Sequence, residues 1–374
     1  MAQPGLHERL APLGEAGVSI WLDTMSRELL ESGRFLEYVR DWFVAGATSN
    51  PTTFAQAITS SDRYDAQLAE LLAVGVQDPQ ELFFSLALDD ISESARVLRP
   101  LYDARDRDDG YVSFECTPDV ADDTDATIDQ AIDLWDRVDA PNVMIKVPGT
   151  AAGVPAIEEL TARGVNVNVT LLFGVGRYEE VMEAYLSGLE RRLSADEPLD
   201  HVFSVASFFV SRVDTKVDRI LEPSSSLQGR VAVANAKVAY QYHLNWFAGE
   251  RWDRLRAQGA RVQKPLWAST GTKNPEYSDV LYVEELIAPG VINTMPEQTL
   301  AAFADHGRVA RTLDGRVDEA GAVLDALAQS DVDLEQITAE LEREGVEAFA
   351  ASYRDIVSCV EHKTAQLVAS KAAP

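Results

Sequence analysis

The sequence contains few cysteines and no long apolar run. Its 374 residues include only Cys116 and Cys359, which lie far apart and form no metal-binding or redox spacing. That usage is typical of a reducing cytoplasm and predicts neither a disulfide framework nor a metal site. No run of about eighteen apolar residues occurs, and the N-terminal segment lacks the apolar stretch of a signal peptide. We therefore expect a cytoplasmic protein with no membrane segment.

Basic residues are also scarce. The chain has 33 Lys and Arg against 61 Asp and Glu, a formal net charge of −28 at pH 7. Such a field repels nucleic acid and anionic membranes, which argues against both as partners. It also repels phosphate esters, so a site for a phosphorylated substrate must gather positive charge locally.

Short β-like runs alternate with longer helical patterns, which predicts parallel strands joined by helices. The predicted strands are 18–23, 46–50, 111–115, 143–148, 165–170, 202–207, 265–270 and 291–296. Eight such units favour a closed (β/α)8 TIM barrel over an open doubly wound sheet, and no glycine-rich nucleotide-binding motif supports the open sheet. We expect a single domain over 1–374, with residues from about 313 to 374 forming additional C-terminal helices on the outside of the barrel. Monomer and homodimer both remain open.

The predicted strands end in polar residues, and the strand ends are where such barrels carry their chemistry. In chain order these residues are Asp23, Thr48, Asn50, Glu115, Lys146, Asn168, Thr170, Ser207, Ser269 and Thr270, with Arg212 and Lys273 just beyond two of the strands. The sequence therefore predicts a functional site at the C-terminal mouth of the barrel.

Lysine is rare, with seven in the chain and none before Lys146, which lies in the apolar run VMIKVP. Desolvation in such a run favours the neutral amine that attack on a carbonyl requires. The alternative is a lysine that reaches solvent or pairs with a carboxylate. Asp23 and Glu115 at separate strand ends could divide the proton transfers of Schiff-base chemistry. Each could instead cap a helix or sit in a turn.

Two further residue types suggest a sugar phosphate. Asn50 and Asn168 suit hydrogen bonds to sugar hydroxyls, and asparagine is otherwise disfavoured in strands. Arg212 and Lys273 are candidate phosphate ligands, the latter in the loop STGTKNP. An ordinary surface charge is the alternative for Lys273. Lys237 lies in the helical run VANAKVAY, which favours a structural role.

At these residues the sequence resembles the transaldolase family. The segments WLDTMSREL, GATSNPTTF, YVSFE, NVMIKVPGT, VNVNVTLLF and SFFVSRVD occur in the family's order, and WASTGTKNP and NTMPEQTL resemble its longer bacterial form. The resemblance covers most of the chain. It implies a barrel enzyme that moves a dihydroxyacetone unit between sugar phosphates through a lysine Schiff base, with neither metal nor organic cofactor.

The resemblance also implies roles for individual residues. Lys146 matches the Schiff-base lysine, Glu115 the acid/base residue acting through a water that Thr48 and Thr170 orient, and Asp23 the residue that moves the proton of the cleaved carbon's hydroxyl. The remaining matches are Asn50, Asn168 and Ser207 for substrate hydroxyls or the intermediate, and Arg212 and Ser269 for phosphate.

Two positions distinguish this chain within the family. Many transaldolases carry a second phosphate arginine after the seventh strand, where this chain has Lys273, so we expect the lysine to replace it. A lysine offers a point charge without the bidentate fork of arginine. Phe209 stands where the related aldolases, which release free dihydroxyacetone, carry a tyrosine. That favours transfer over release, although Phe209 could also serve barrel packing. A catalytically silent sugar-phosphate-binding barrel is the remaining alternative.

Overall fold

Eight parallel strands lie side by side in chain order, and the last pairs with the first. The computed structural model describes residues 9–49 and 51–372, without the side chains of 51–53 and 370–372. The strands are β1 (Val18–Leu22), β2 (Val44–Thr48), β3 (Tyr111–Glu115), β4 (Val143–Pro148), β5 (Val167–Leu172), β6 (Ser204–Phe209), β7 (Lys264–Ala268) and β8 (Val291–Met295). The predicted (β/α)8 barrel is therefore confirmed, and its closure excludes the open sheet.

Helices surround the barrel. They are α1 (Leu10–Glu15), α2 (Arg27–Glu31), α3 (Arg34–Asp41), α4 (Pro51–Ser60), α5 (Asp65–Ala73), α6 (Pro79–Ala104), α7 (Thr124–Val138), α8 (Gly153–Arg163), α9 (Val175–Ser194), α10 (Ser211–Ile220), α11 (Val231–Trp246), α12 (Gly249–Ala257), α13 (Leu281–Glu284), α14 (Glu297–His306), α15 (Val317–Ala328) and α16 (Leu334–Ala372). A short 3-10 helix spans Pro118–Val120. Among the described residues, no helix is long and apolar enough to cross a membrane.

The helical pattern after β1 is divided into two helices. Ser26 begins α2, because its side chain accepts a hydrogen bond from the backbone N–H of Leu29. Gly33 then ends the run with a left-handed φ of 75°, and α3 starts at the next residue. The sequence pattern shows a continuous apolar periodicity here and does not reveal the break.

Large side chains pack inside the barrel below its mouth. The Trp21 indole lies against the backbone of Gly46, where a Cβ would come within 2.4 Å of Trp21 Cε2. Tyr111 and Phe203 stack across the interior with ring centroids 4.8 Å apart. Such packing is typical of a barrel whose lower layers form a core and whose upper end holds a site.

The long C-terminal helix departs from the expectation that the C-terminal helices lie on the outside of the barrel. α15 packs on α11 as expected, but α16 packs against α4, α6, α10 and β5. Gly345 faces Leu171 at the end of β5, and a Cβ at Gly345 would lie 3.0 Å from Leu171 Cδ2. α16 therefore crosses the C-terminal mouth and covers part of it.

Candidate active site

A cavity of about 280 Å³ lies at the carboxyl ends of the strands. Each strand, or the residue just after it, contributes a polar side chain to the lining: Asp23, Thr48, Glu115, Lys146, Thr170, Ser207, Ser269 and Thr294. Phe209, Arg212 and Lys273 also line this cavity. The barrel thus brings together most of the residues that the sequence singled out.

Lys146 and Glu115 form an ion pair in this cavity. Adjacent strands place them side by side in register, with Lys146 Nζ 3.2 Å from Glu115 Oε2. The two side chains are only 12% and 8% exposed. Burial raises the pKa of Glu115, and the neighbouring ammonium opposes that rise. The lysine therefore pairs with a carboxylate, as the alternative allowed, and that carboxylate can exchange a proton with it.

Asp23 is not a helix cap, because Ser26 caps α2 instead. Its backbone N–H donates to the carbonyl of Met295, which holds the turn after β1 against β8. Burial raises the pKa of Asp23 from 3.8 to about 6, while Lys146, Lys273 and Arg212 act against the rise. A carboxyl group with that pKa can accept and return a proton near neutral pH.

Two threonine hydroxyls also border the cavity. Thr48 Oγ1 makes a long contact of 3.3 Å to the carbonyl of Ser49. Thr170 Oγ1 is buried and has no hydrogen-bond partner among the described residues. A buried hydroxyl without a partner is costly, and a water or a substrate hydroxyl between Thr170 and Glu115 would satisfy it.

Asn168 lies next to the cavity without lining it. Its side chain accepts a hydrogen bond from Ser207 Oγ (2.7 Å) and donates to Ser113 Oγ (2.9 Å). Asn168 is fully buried, and it fixes the orientation of Ser207, which does line the cavity. Asn50 lies outside the described residues.

Two cations that line the cavity have no carboxylate partner among the described residues. Among the lysine side chains that the structure describes, Lys146, Lys216, Lys237, Lys264 and Lys363 form ion pairs, whereas Lys273 forms none. Arg212 makes no ion pair with any described residue, and its guanidinium lies 5.4 Å from the centre of the Phe209 ring. Burial lowers the pKa of Arg212. In a chain of net charge −28, two cations that line one cavity and pair with no described carboxylate indicate an anion site.

The loop that carries Lys273 is attached to the helix that carries Arg212. Tyr277 donates a hydrogen bond of 2.9 Å to Asp218 on α10, and the Ser211 and Ser269 hydroxyls lie 3.0 Å apart. Ser269 has a left-handed φ of 56°, a costly conformation for serine that is often found at functional sites. α10 therefore positions both cations.

The sequence did not reveal the roof of the cavity, which comes from α16. Gly345, Ala348, Phe349 and Ser352 line it at the spacing of one helix face. Leu171, which belongs to β5 and has a left-handed φ of 61°, lies against this face at Gly345. Small residues at 345 and 348 were the available signal, but a helical pattern does not show which surface its face will meet.

A buried amine beside a carboxylate, in a cavity with two cations that no described carboxylate pairs, suits covalent chemistry on a carbonyl compound that carries an anionic group. The comparison with known proteins is consistent with this chemistry. The family model described as transaldolase/fructose-6-phosphate aldolase matches residues 20–359.

Relatives over nearly the whole chain carry the name transaldolase. The protein from Acidothermus cellulolyticus is 49% identical over 356 residues, 94% of this chain and 95% of its own. The protein from Saccharopolyspora erythraea is 46% identical over 364 residues, 96% and 99% of the two chains. The one from Mycobacterium tuberculosis is 47% identical over 355 residues, 93% and 95%.

Proposed function

This chain belongs to the transaldolase/fructose-6-phosphate aldolase family, and on that premise we propose that it is a transaldolase. It moves a dihydroxyacetone unit from sedoheptulose 7-phosphate or fructose 6-phosphate to glyceraldehyde 3-phosphate or erythrose 4-phosphate. We assign this reaction to the non-oxidative pentose phosphate pathway in the cytoplasm. The observation that carries the proposal is the buried Lys146–Glu115 pair, 3.2 Å apart, in a cavity with two unpaired cations.

The Lys146–Glu115 pair carries out the first steps of the reaction. Glu115 takes a proton from the Lys146 ammonium, and the neutral amine attacks the ketose carbonyl. Glu115 then returns the proton, through a water held by Thr48 and Thr170, to the carbinolamine hydroxyl, which leaves as water. The product of these steps is a Schiff base on Lys146.

Asp23 carries the second proton transfer. Its carboxylate takes the proton of the substrate hydroxyl next to the bond that breaks, and the aldose phosphate leaves as its carbonyl forms. The bonding electrons move into the Schiff base, which becomes an enamine. Addition of the enamine to the acceptor aldehyde reverses these steps, so the lysine serves as the electron sink.

The remaining residues hold the substrate. Arg212, Ser269 and Lys273 bind the phosphate, with Lys273 in place of a second arginine and therefore with a point charge rather than a fork. Ser207, Asn168 and Asn50 serve the sugar hydroxyls or the intermediate. Asn168 acts on the substrate through Ser207, since its own amide is hydrogen-bonded to two serines.

Phe209 favours transfer over release of dihydroxyacetone. Release requires protonation of the enamine, and the Phe209 ring, which contacts Phe173 and Arg212, has no proton to give. We expect fructose 6-phosphate turnover to be far slower alone than with erythrose 4-phosphate present. Comparable initial rates in a coupled assay would identify an aldolase instead.

The nucleophile is tested by trapping it. The protein is incubated with fructose 6-phosphate, reduced with borohydride and digested, and the adduct is located by mass spectrometry. We expect the adduct on the peptide containing Lys146 and none in a Lys146→Met variant. Lys237, which is buried on α11 and paired with Glu285, is the matched control. An adduct on Lys237, or no adduct at all, would reject the proposed mechanism and favour a silent binding barrel.

A further inference from the structure

A lysine one turn beyond Arg212 connects the anion site to the C-terminal helix. Arg212 and Lys216 are four residues apart on α10 and therefore share a face. Lys216 Nζ lies 2.8 Å from Glu340 Oε2 and 2.6 Å from Glu344 Oε1, both on α16. Lys216 is thus held between two carboxylates of α16, one turn along α10 from the cavity-lining Arg212.

One of these carboxylates, Glu344, acts electrostatically on Arg212, the arginine that we assign to the phosphate. The charges that act on the pKa of Arg212 are Asp23 and Glu344, each of which raises it against the effect of burial. Asp23 belongs to the reaction. Glu344 does not line the cavity, but it directly precedes Gly345, which does. Its side chain is 59% exposed, so it has room to turn.

A carboxylate near an unpaired arginine competes with a phosphate for the same donors, because both anions accept bidentate hydrogen bonds from a guanidinium. We propose that Lys216 is a positioning residue for the anion site: it binds Glu344 and thereby leaves Arg212 free for the substrate phosphate. Glu340 completes the arrangement by holding Lys216 from the other side. The identity of the phosphate ester rests on the proposed function. The competition between Glu344 and a bound anion for Arg212 does not.

The inference is tested by removing the lysine and then the competitor. In Lys216→Met, Glu344 turns toward Arg212, and we expect the affinity for inorganic phosphate to fall roughly two- to fivefold, the effect of one partly exposed charge pair. The KM for fructose 6-phosphate should rise by the same factor, with kcat unchanged. In Lys216→Met/Glu344→Gln, both values should return to those of the unaltered protein, because the amide cannot compete as an anion.

Arg177→Met is the matched control. Arg177 also pairs with α16, through Glu342 at 3.2 Å, so its loss removes the same charge and also loosens the helix. Its phosphate affinity and KM should be unchanged. An equal loss in Arg177→Met, or no recovery in the double variant, would overturn the proposal and leave Lys216 with a purely structural role. Phosphate binding is measured by titration calorimetry without turnover, so failure of the transferase assay would not affect this result.

Discussion

At the scale of single residues, Asp23 shows a conflict between stability and chemistry. The carboxyl group is placed in a site where burial favours its protonated form and raises its pKa from 3.8 to about 6. No described residue donates a hydrogen bond to its side chain. At neutral pH the folded protein therefore holds a desolvated carboxylate that the proposed proton transfer needs and that packing does not.

We predict that Asp23→Asn stabilises the protein and abolishes transfer. The folded state binds the Asp23 proton more tightly than the unfolded chain, so stability falls as the pH rises from about 4 to 6, and the penalty is complete above 6. The variant should gain about 1–3 kcal/mol in free energy of unfolding at pH 7.5. The gain should disappear below pH 4, where both side chains are neutral, and denaturant titrations at several pH values measure it.

Asp214 provides the contrast, because burial raises its pKa to about 6 as well. Its two oxygens accept hydrogen bonds from the backbone N–H of Ala232 and from the Tyr282 hydroxyl. Asp214→Ala removes both acceptors and should lose about 1–3 kcal/mol. We interpret the burial of the Asp23 carboxylate as a cost in stability that serves the proposed chemistry. Destabilisation of both variants to the same extent would contradict that interpretation.

At the scale of elements, the strands were predictable because β-branched runs flanked by Gly, Pro or Asp differ clearly from helical periodicity. Boundaries were less accurate: β5 and β6 begin at Val167 and Ser204, two residues after the predicted starts. Pairing with the neighbouring strands determines where a strand begins, since Val167 pairs with Ile145 on β4 and with Ser204 on β6.

The position of α16 could not be predicted, because amphipathic periodicity reports that a face is buried and not what covers it. The same limit applied to Asn168, which lies in β5 as predicted but whose amide is hydrogen-bonded to Ser113 and Ser207 beside the cavity. Local sequence thus predicted which strand ends carry polar groups. Contacts between distant elements determined which of those groups reach the cavity.

We predict that Ala348→Leu on α16 lowers kcat/KM for fructose 6-phosphate by about tenfold or more, because the added side chain displaces the substrate from its reacting position. Ala348 lines the cavity and is exposed, so its enlargement should leave the melting temperature nearly unchanged. The matched control is Ala339→Leu. Ala339 is also exposed on α16 and, nine residues away, lies on the opposite face. Full activity in both variants would show that α16 does not limit the site.

At the scale of the whole molecule, acidic and basic residues are distributed unevenly. The proposed anion site depends on this distribution. Net charge −28 repels phosphate in solution, while Arg212 and Lys273 line the cavity with Asp23 and pair with no described carboxylate. Most described basic side chains elsewhere are engaged with carboxylates, as Arg251 is with Glu183 and Glu190. In the proposed function, local cations therefore select the anion, and the excess acid acts mainly on the stability of the fold.

We predict that salt stabilises this protein. With 61 acidic against 33 basic residues, repulsion among unpaired carboxylates opposes the compact state, and ions screen it once the Debye length falls to about 10 Å at 0.1 M. The melting temperature should rise by a few degrees, roughly 2–5 °C, between 0.01 and 0.2 M NaCl in a phosphate-free buffer, about 2–4 kcal/mol for a chain of this size. Choline chloride should act equally, since screening depends on ionic strength and not on the cation. A falling melting temperature would mean that the ion pairs contribute more to stability than the excess negative charge removes.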